Sequence, residues 1–464
     1  MRSFKGKTVC IVGFGKSGQT AARYLTAQGA RVIVNDSKSK QEMNEAIKNM
    51  ADLKLEFELG KHSSKVFENI DAVILSPGVP PTIEGLAEAK TRGVPILNDI
   101  ELVRDATQAP IIAVTGSNGK TTTTTMIAEM LKLDGKKVFV GGNIGTPALE
   151  FTIKGENPDI IVLEVSSFQL ESIDTFKPNV IVITNLEPNH LDRYPEGIEA
   201  YYNAKRRIVK NADTSTVLIT NLENPRTYAM KDSFPGIYLG FTRKNPMTIN
   251  PELAETFKGA YIQRPKMIFR NVNIPEGKTT NDEYSLMTVK IPGDHNRENL
   301  MSAALAARTV GCSNASIQKV IDQFKGVSHR LEFIRKKDGV YFYNDSKSTS
   351  VPAMQTAINS FLAPIILIAG GRDKDQEFGP LADLVHKKVK NLILLGESKE
   401  KINRSIGDYS ETFLVGTFEE AVLLAYQKSR NGDVILLSPG CASYDMFKNY
   451  EERGDYFKKL VAQL

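Results

Sequence analysis

The stretch Ile111-Ile-Ala-Val-Thr-Gly-Ser-Asn-Gly-Lys-Thr-Thr-Thr-Thr-Thr125 decides the reading of this chain. An apolar, strand-like run enters a glycine loop, and Met126-Ile-Ala-Glu-Met-Leu131 leaves it as a helix. A phosphate-binding loop needs that order, because backbone N–H groups and a helix N-terminus then converge on one anion. In this reading Gly116, Ser117, Asn118 and Gly119 wrap a polyphosphate and Lys120 reaches its outer phosphates, while the Thr121 or Thr122 hydroxyl touches a metal. Where the usual pattern has its first glycine this chain has Val114, so the loop is a shortened variant. The competing reading is a plain helix start capped by Asn118. The order of elements favours a nucleoside triphosphate.

The 464 residues leave room for roughly two to four domains. A composition 41% hydrophobic and 24% charged is ordinarily globular, and the net charge of +5 is too small to argue for nucleic-acid binding. Cys10, Cys312 and Cys441 lie far apart, which points to a reducing compartment without a disulfide framework. The N-terminus lacks a signal-peptide core and no run reaches membrane-spanning length. A soluble, cytoplasmic protein is expected, without membrane insertion and working as a monomer.

Short β-branched runs alternate with helical spacing along the whole chain, which predicts an α/β fold of three units. The first, 1–98, is Rossmann-like, with strands at Thr8–Val12, Arg31–Val34 and Ala72–Leu75. Its opening turn, Gly13-Phe-Gly-Lys-Ser-Gly18, has G-x-G-x-x-G spacing, and Asp36 stands where a ribose hydroxyl is often received. The second, 99–326, is a P-loop ATPase-type domain with strands at Ile160–Val165, Val180–Thr184 and Val217–Thr220. Between about Arg243 and Lys290 it makes a polar, partly antiparallel excursion. The third, 327–464, is again Rossmann-like, with strands at Val340–Tyr343, Ile365–Ala369, Leu392–Leu395 and Val434–Leu437.

Several polar groups follow these strands, where doubly wound sheets bind ligands. Glu164 closes an apolar run and could hold Mg²⁺ beside Thr121 or Thr122, or else serve as a first-turn carboxylate of a helix. His190 lies in a polar loop and reads as a metal ligand, a phosphate contact or a solvated histidine. Lys205 sits among three cations on a helix, a pattern more typical of a solvated face or phosphate patch. Arg330, Asp345 and Lys347 lie in two later loops and supply an arginine suited to bidentate recognition of phosphate or carboxylate, a carboxylate, and a lysine point charge. Cys441 has no conventional partner histidine and reads as structural.

Taken in order, these segments resemble the Mur ligases, ATP-dependent amide-forming enzymes of peptidoglycan precursor synthesis. Thr115-Gly-Ser-Asn-Gly-Lys-Thr121, Gly293-x-His-Asn-x-x-Asn299, His329-Arg330 and Asn344-Asp-Ser-Lys-x-Thr349 look like motifs shared across that family. Glu164-Val-Ser-Ser-Phe-Gln-Leu-Glu171, Asn189-His-Leu-Asp-Arg-Tyr194 and Ser438-Pro-x-x-Ala-Ser-Tyr-Asp-x-Phe447 most resemble the member that adds D-glutamate to UDP-N-acetylmuramoyl-L-alanine.

The resemblance implies that the Gly13–Gly18 turn, through Gly15, Ser17 and Gly18, holds the diphosphate of a UDP-sugar. Asp36, Ser37 and Lys38 would then lie near the uracil, and Ser76, Gly78, Asn143, Ser167, Gln169 and His190 would complete that site. It implies ATP contacts from Asn299, Arg330 and Asp345 besides the glycine loop, with Lys120, Glu164, His190, Lys205 and Arg330 serving the reaction. Lys205 matches a lysine that the family carbamylates. With Thr121, Glu164 and His190 it would hold two Mg²⁺ ions. Lys347, Thr349, Lys374, Ser443 and Tyr450 fall where the incoming amino acid is held, although Tyr450 stands where phenylalanine is expected in some members.

Rival readings remain within reach of the residues. Another Mur ligase or a folylpolyglutamate synthase-type ligase would share the same loops. A nicotinamide-dependent oxidoreductase would use Gly13-x-Gly-x-x-Gly18 and Asp36, but would leave Gly116–Thr121 unexplained.

Overall fold

Runs such as Ile111–Val114 and Val180–Ile183 are apolar at every position, as strands covered by helices on both faces must be. The computed structural model describes residues 2–80, 82–83, 85–188, 194, 197–249, 256–373 and 375–464. The first sheet contains β1 (Thr8–Val12), β2 (Arg31–Asp36), β3 (Leu55–Leu59), β4 (Ala72–Leu75) and β5 (Ile96–Leu97). All its pairings are parallel, in the order β3-β2-β1-β4-β5. The order reverses between β1 and β4, and that switch point opens a crevice above their C-terminal ends.

The second sheet is built from β6 (Ile111–Thr115), β7 (Val138–Gly142), β8 (Ile160–Glu164), β9 (Val180–Ile183), β10 (Val217–Asn221) and β11 (Ile237–Thr242). It continues through β12 (Gly259–Gln263) and β13 (Lys266–Arg270). A separate two-stranded ladder follows, β14 (Val272–Asn273) with β15 (Thr279–Thr280), before β16 (Glu283–Ser285) returns to the sheet's edge. Its order is β16-β13-β12-β11-β10-β9-β6-β8-β7. Only the β12–β13 and β13–β16 pairs are antiparallel, which is the excursion read from the polar stretch.

The third sheet holds β17 (Glu332–Lys337), β18 (Val340–Asn344), β19 (Ile365–Gly370), β20 (Val389–Leu395), β21 (Glu411–Leu414) and β22 (Val434–Leu437). Its order is β17-β18-β22-β19-β20-β21, and all pairs but β17–β18 are parallel. Two compact units result: residues 1–285 with 298–320, and residues 286–297 with 321–464. Among the described residues no helix is long and apolar enough to cross a membrane.

Within the first unit, one carboxylate ties the N-terminal segment to the second sheet. Asn98 caps the helix Asp99–Ala106 by accepting from the Ile100 and Glu101 N–H groups. That helix presents Glu101, which is fully buried, to the loop after Leu170. Glu101 Oε1 accepts from the N–H groups of Asp174 (2.6 Å) and Phe176 (2.9 Å). Its Oε2 accepts from Thr175 N (3.1 Å) and from Arg2 Nη2 (2.9 Å). A buried charge is tolerated when it is saturated in this way. Replacing Glu101 with Ala strips the acceptor from three N–H groups and a guanidinium, and should cost about 3 kcal/mol or more of stability. Urea denaturation followed by circular dichroism checks this; an unchanged midpoint would show the clamp to be dispensable.

Candidate active site

The phosphate-loop stretch forms as strand, loop and helix, with the helix running Lys120–Leu133. Its N-cap is Gly119, at φ +83°, and no side chain caps it, so Asn118 is not the cap. The loop is instead pinned by the segment that follows β9. Ser117 N donates to Asn185 O (3.0 Å) and Asn118 N to Asn185 Oδ1 (2.9 Å). Thr184 Oγ1 donates to Asn118 O (2.5 Å), and Ser117 Oγ donates to Glu187 O (2.7 Å). Gly116 has φ +143°, and a Cβ there would lie 1.9 Å from Thr184 Oγ1, so only glycine fits. Lys120 Nζ donates to the carbonyls of Gly116 (2.9 Å) and Ser117 (3.0 Å), which folds its charge back over the loop.

Glu164 ends β8 with its side chain 3% exposed. Oε2 accepts from Thr121 Oγ1 (2.7 Å) and Oε1 from Asn143 Nδ2 (3.1 Å). Lys205, on the helix Ile198–Arg206, is 1% exposed, with Nζ 4.8 Å from the centre of the Tyr201 ring. Burial pulls its ammonium down to about 6; the Lys120 charge adds to this and Glu164 opposes it. Tyr201 OH in turn donates to Ser117 Oγ (3.1 Å), so the lysine's platform is tied to the phosphate loop. The sequence reading passed over Tyr201, Asn185 and Glu187, although the last two fall in the polar segment after β9. Thr122 is buried within the helix. Asn299 is also buried, and its Oδ1 accepts from Thr123 Oγ1 (3.4 Å).

A cleft of about 420 Å³ lies at the switch point of the first sheet. Its lining includes Gly13 and, of the expected sugar-nucleotide residues, Gly15, Ser17, Asp36, Ser76, Gly78 and Asn143. Asp36 Oδ2 accepts from Phe14 N (2.7 Å) and Oδ1 from Lys38 N (2.9 Å), while Ser76 Oγ donates to Gly13 O (2.7 Å). Gly18 sits against Gly13, where a Cβ would be 2.1 Å from the Gly13 carbonyl. Ser37 and Lys38 are exposed beside this cleft and do not line it. Ser167 and Gln169 lie on the buried helix Ser167–Glu171, where Gln169 Nε2 donates to Asp99 Oδ1 (3.0 Å) and its Oε1 accepts from Ser166 N (3.1 Å). His190 and Lys374 lie outside the described residues.

In the second unit, polar groups gather at the C-terminal ends of β18 and β22. Arg330 stands between His329 (φ +62°) and Leu331 (φ +43°), two non-glycine residues held in left-handed conformation. Asp345 Oδ1 accepts from Leu331 N (3.1 Å) and Oδ2 from Ser438 Oγ (2.9 Å). Burial pushes the Asp345 carboxyl up to about 7 against those bonds. Lys347 N donates to His329 O (3.0 Å), and its Nζ lies 5.4 Å from the centre of the Tyr450 ring. Thr349 O accepts from Gln376 Nε2 (3.5 Å), and Ser443 follows β22 in a buried loop. The structure thus brings Arg330, Asp345, Lys347 and Tyr450 together around His329.

Known sequences match this layout from end to end. Residues 7–98 match the Mur ligase MurD-like N-terminal domain, 114–307 the Mur ligase middle domain and 329–441 the Mur ligase glutamate ligase domain. The UDP-N-acetylmuramoylalanine--D-glutamate ligase of Bdellovibrio bacteriovorus is 44% identical over 461 residues, covering 98% of this chain and 97% of its own. The enzyme of that name from Geotalea uraniireducens is 39% identical, covering 99% and 98%. The chain belongs to the Mur ligase family.

Among solved structures, the Thermotoga maritima UDP-N-acetylmuramate-alanine ligase MurC superposes with a TM-score of 0.55 at 18% identity, covering 98% of this chain and 99% of that one. A pseudomurein peptide ligase type C from Methanothermus fervidus gives 0.54 at 17% identity, covering 99% and 100%. Both share the fold. In this Mur ligase the phosphate loop depends on Gly119, where an added Cβ would lie 2.1 Å from Asn299 Oδ1. Gly119→Ala should therefore weaken ATP binding by about tenfold or more, through both the clash and the positive φ. Calorimetric titration with a non-hydrolysable ATP analogue measures it, and unchanged affinity would contradict the loop assignment.

Proposed function

We propose that this Mur ligase uses ATP to join D-glutamate to UDP-N-acetylmuramoyl-L-alanine in peptidoglycan precursor synthesis. The observation that carries the chemistry is the Glu164 carboxylate, bonded at one oxygen to Thr121 of the phosphate loop and at the other to Asn143 of the substrate cleft. It links the triphosphate's loop to the sugar-nucleotide's cleft. The choice of amino acid rests on the near-full-length relatives bearing that name.

In this reading residues 1–98 bind the UDP-sugar, 99–326 bind ATP and 327–464 bind the amino acid. Gly15, Ser17 and Gly18 take the diphosphate at the start of the helix Lys16–Ala27, with Asp36, Ser37 and Lys38 toward the uracil. Ser76, Gly78, Asn143, Ser167, Gln169 and His190 take the rest of that substrate. Asn299, Arg330 and Asp345 join the glycine loop on ATP, and Lys347, Thr349, Lys374, Ser443 and Tyr450 receive the amino acid.

A carboxylate is a poor electrophile. The L-alanyl carboxylate oxygen attacks the γ-phosphorus, the bond to ADP breaks, and an acyl phosphate forms. The amine of D-glutamate then adds to the acyl carbon, loses a proton and expels phosphate. Lys120 leaves its carbonyl partners to neutralise the transferring phosphoryl group, and Arg330 adds a second cation.

Mur ligases use Mg²⁺, and the residues suit it. Glu164 is buried and forms no ion pair among the described residues, so a cation placed beside it would be strongly favoured. Among those residues no group of three His, Cys, Asp or Glu side chains gathers for a metal. The ion would be held by the Glu164 carboxylate, the Thr121 hydroxyl and substrate phosphates, with His190 and Lys205 as further ligands. When bound, Mg²⁺ supplies charge neutralisation at the phosphates.

The proposed second ion and the carbamate go with Lys205. Its amine is neutral above about pH 6, so at neutral pH its lone pair can attack CO₂, forming an N–C bond and releasing a proton. The carbamate would place a second anionic ligand near Glu164.

Two experiments test these assignments. ADP release with UDP-N-acetylmuramoyl-L-alanine, while each D- and L-amino acid is supplied in turn, should respond to D-glutamate alone; response to another amino acid would replace the reading. In ¹³C-bicarbonate the wild type should give a carbamate carbon resonance that Lys205→Arg lacks. Activity in CO₂-free buffer should fall and need more bicarbonate for recovery as pH drops toward 6, where the ammonium begins to dominate. Full activity without CO₂ and without that resonance would remove the carbamate.

A further inference from the structure

The C-terminal helix Tyr450–Gln463 contains a buried cation that the functional reading leaves unused. Arg453 is 1% exposed and forms no ion pair among the described residues. Its guanidinium is satisfied by two loops instead. Nε donates to Ser346 Oγ (2.9 Å), and Nη2 to the carbonyls of Ser346 (2.8 Å) and Cys441 (3.1 Å). Nη1 donates to Ala442 O (3.3 Å). Burial lowers the group to about 10, so it remains charged at neutral pH.

Neighbouring geometry keeps the helix at this spot. Gly454 lies so close that a Cβ would meet His329 Nδ1 at 2.1 Å and Asn344 Nδ2 at 3.0 Å. Ser346 Oγ donates onward to Tyr450 O (2.8 Å). The Ala442 carbonyl also accepts from Arg372 N (2.9 Å), so two donors fix the plane of the Ala442–Ser443 peptide. In a planar trans peptide the N–H points opposite to the carbonyl, away from Arg453. That N–H belongs to Ser443, which is 2% exposed, and it makes no hydrogen bond among the described residues. A buried donor left open is a place for an acceptor to arrive.

We propose that Arg453 is a positioning residue for the incoming amino acid: it holds the Ser346–Lys347 and Cys441–Ser443 segments at one fixed spacing, so that Lys347 and the Ser443 N–H engage a carboxylated substrate together. This rests on the amino-acid site proposed above. Arginine suits the task because its planar fork spans acceptors on both loops, which a lysine's point charge cannot do.

The test is steady-state kinetics of Arg453→Lys and Ser346→Ala, with the substrates varied one at a time. In Arg453→Lys the KM for the amino acid should rise by about 10- to 100-fold, the cost of a small misplacement of binding groups. The KM for the UDP-sugar should stay within about twofold, since Arg453 and Ser346 bond to none of the residues assigned to that substrate. A purely structural lesion would instead lower kcat and the active fraction alike for all substrates. Ser346→Ala removes only the hydroxyl bridging Arg453 and Tyr450, and should give the same selective rise at smaller amplitude. It decides the matter if the lysine variant does not fold. An amino-acid KM unchanged in folded Arg453→Lys, or in Ser346→Ala where the lysine variant fails to fold, would overturn the proposal. The readout is taken on whichever amino acid the wild type consumes. A wild type that prefers something other than D-glutamate would fail the functional reading without deciding the role of Arg453.

Discussion

The burial of the Glu164 carboxylate is the constraint on which the active-site architecture depends. A charge this far from water must be met by donors, and here Thr121, in the first turn of the helix after the phosphate loop, and Asn143, in the loop after β7, provide them. Satisfying it therefore fixes the phosphate loop against the substrate cleft. The backbone repeats the link, because Asn143 N donates to Glu164 O (2.8 Å). Chain packing is so close there that Gly142, at φ +97°, would place a Cβ 2.3 Å from that carbonyl. The glycine before Asn143 is thus a consequence of where Glu164 must sit.

The glycine loop has little shape of its own. Its conformation comes from Thr184, Asn185 and Glu187, which bond to its backbone and to Ser117 from the neighbouring strand's end. Groups held this way need no reorganisation when charge develops on a phosphate, which is the main electrostatic advantage such a site has over water. Lys120 is the exception, since its ammonium rests on two carbonyls that it can exchange for phosphate oxygens.

Much of this was legible in the sequence, and what was missed has physical causes of several kinds. The central strands of each sheet, such as Ile111–Thr115 and Val434–Leu437, are buried on both faces and announce themselves as unbroken apolar runs. β3 (Leu-Glu-Phe-Glu-Leu) and β17 (Glu-Phe-Ile-Arg-Lys-Lys) escaped that reading because they are edge strands, alternating with charge or ending in it. β7 escaped because it dissolves into glycine as it reaches Glu164. At the site, the loop motifs exposed their chemistry through spacing. Glu101, Tyr201 and Arg453 did not, because they act on carbonyls, N–H groups or hydroxyls of residues distant in the chain. No local pattern records such a contact, and Arg453 reads in sequence as one more charge on an amphipathic helix.

Two buried cations show how side-chain chemistry divides these roles. Lys205 and Arg453 are each about 1% exposed, and among the described residues neither sits in an ion pair. Lysine meets that cost by giving up its proton, since burial brings its affinity down to about 6. What remains is a neutral amine beside an aromatic ring, open to covalent change. Arginine stays charged even at about 10, so its guanidinium must be solvated by the protein. Carbonyls and a hydroxyl from two loops do this, and in doing so lose their freedom to move apart. The same desolvation thus leaves one position chemically convertible and makes the other a fixed strut, and exchanging the two residue types would forfeit both properties.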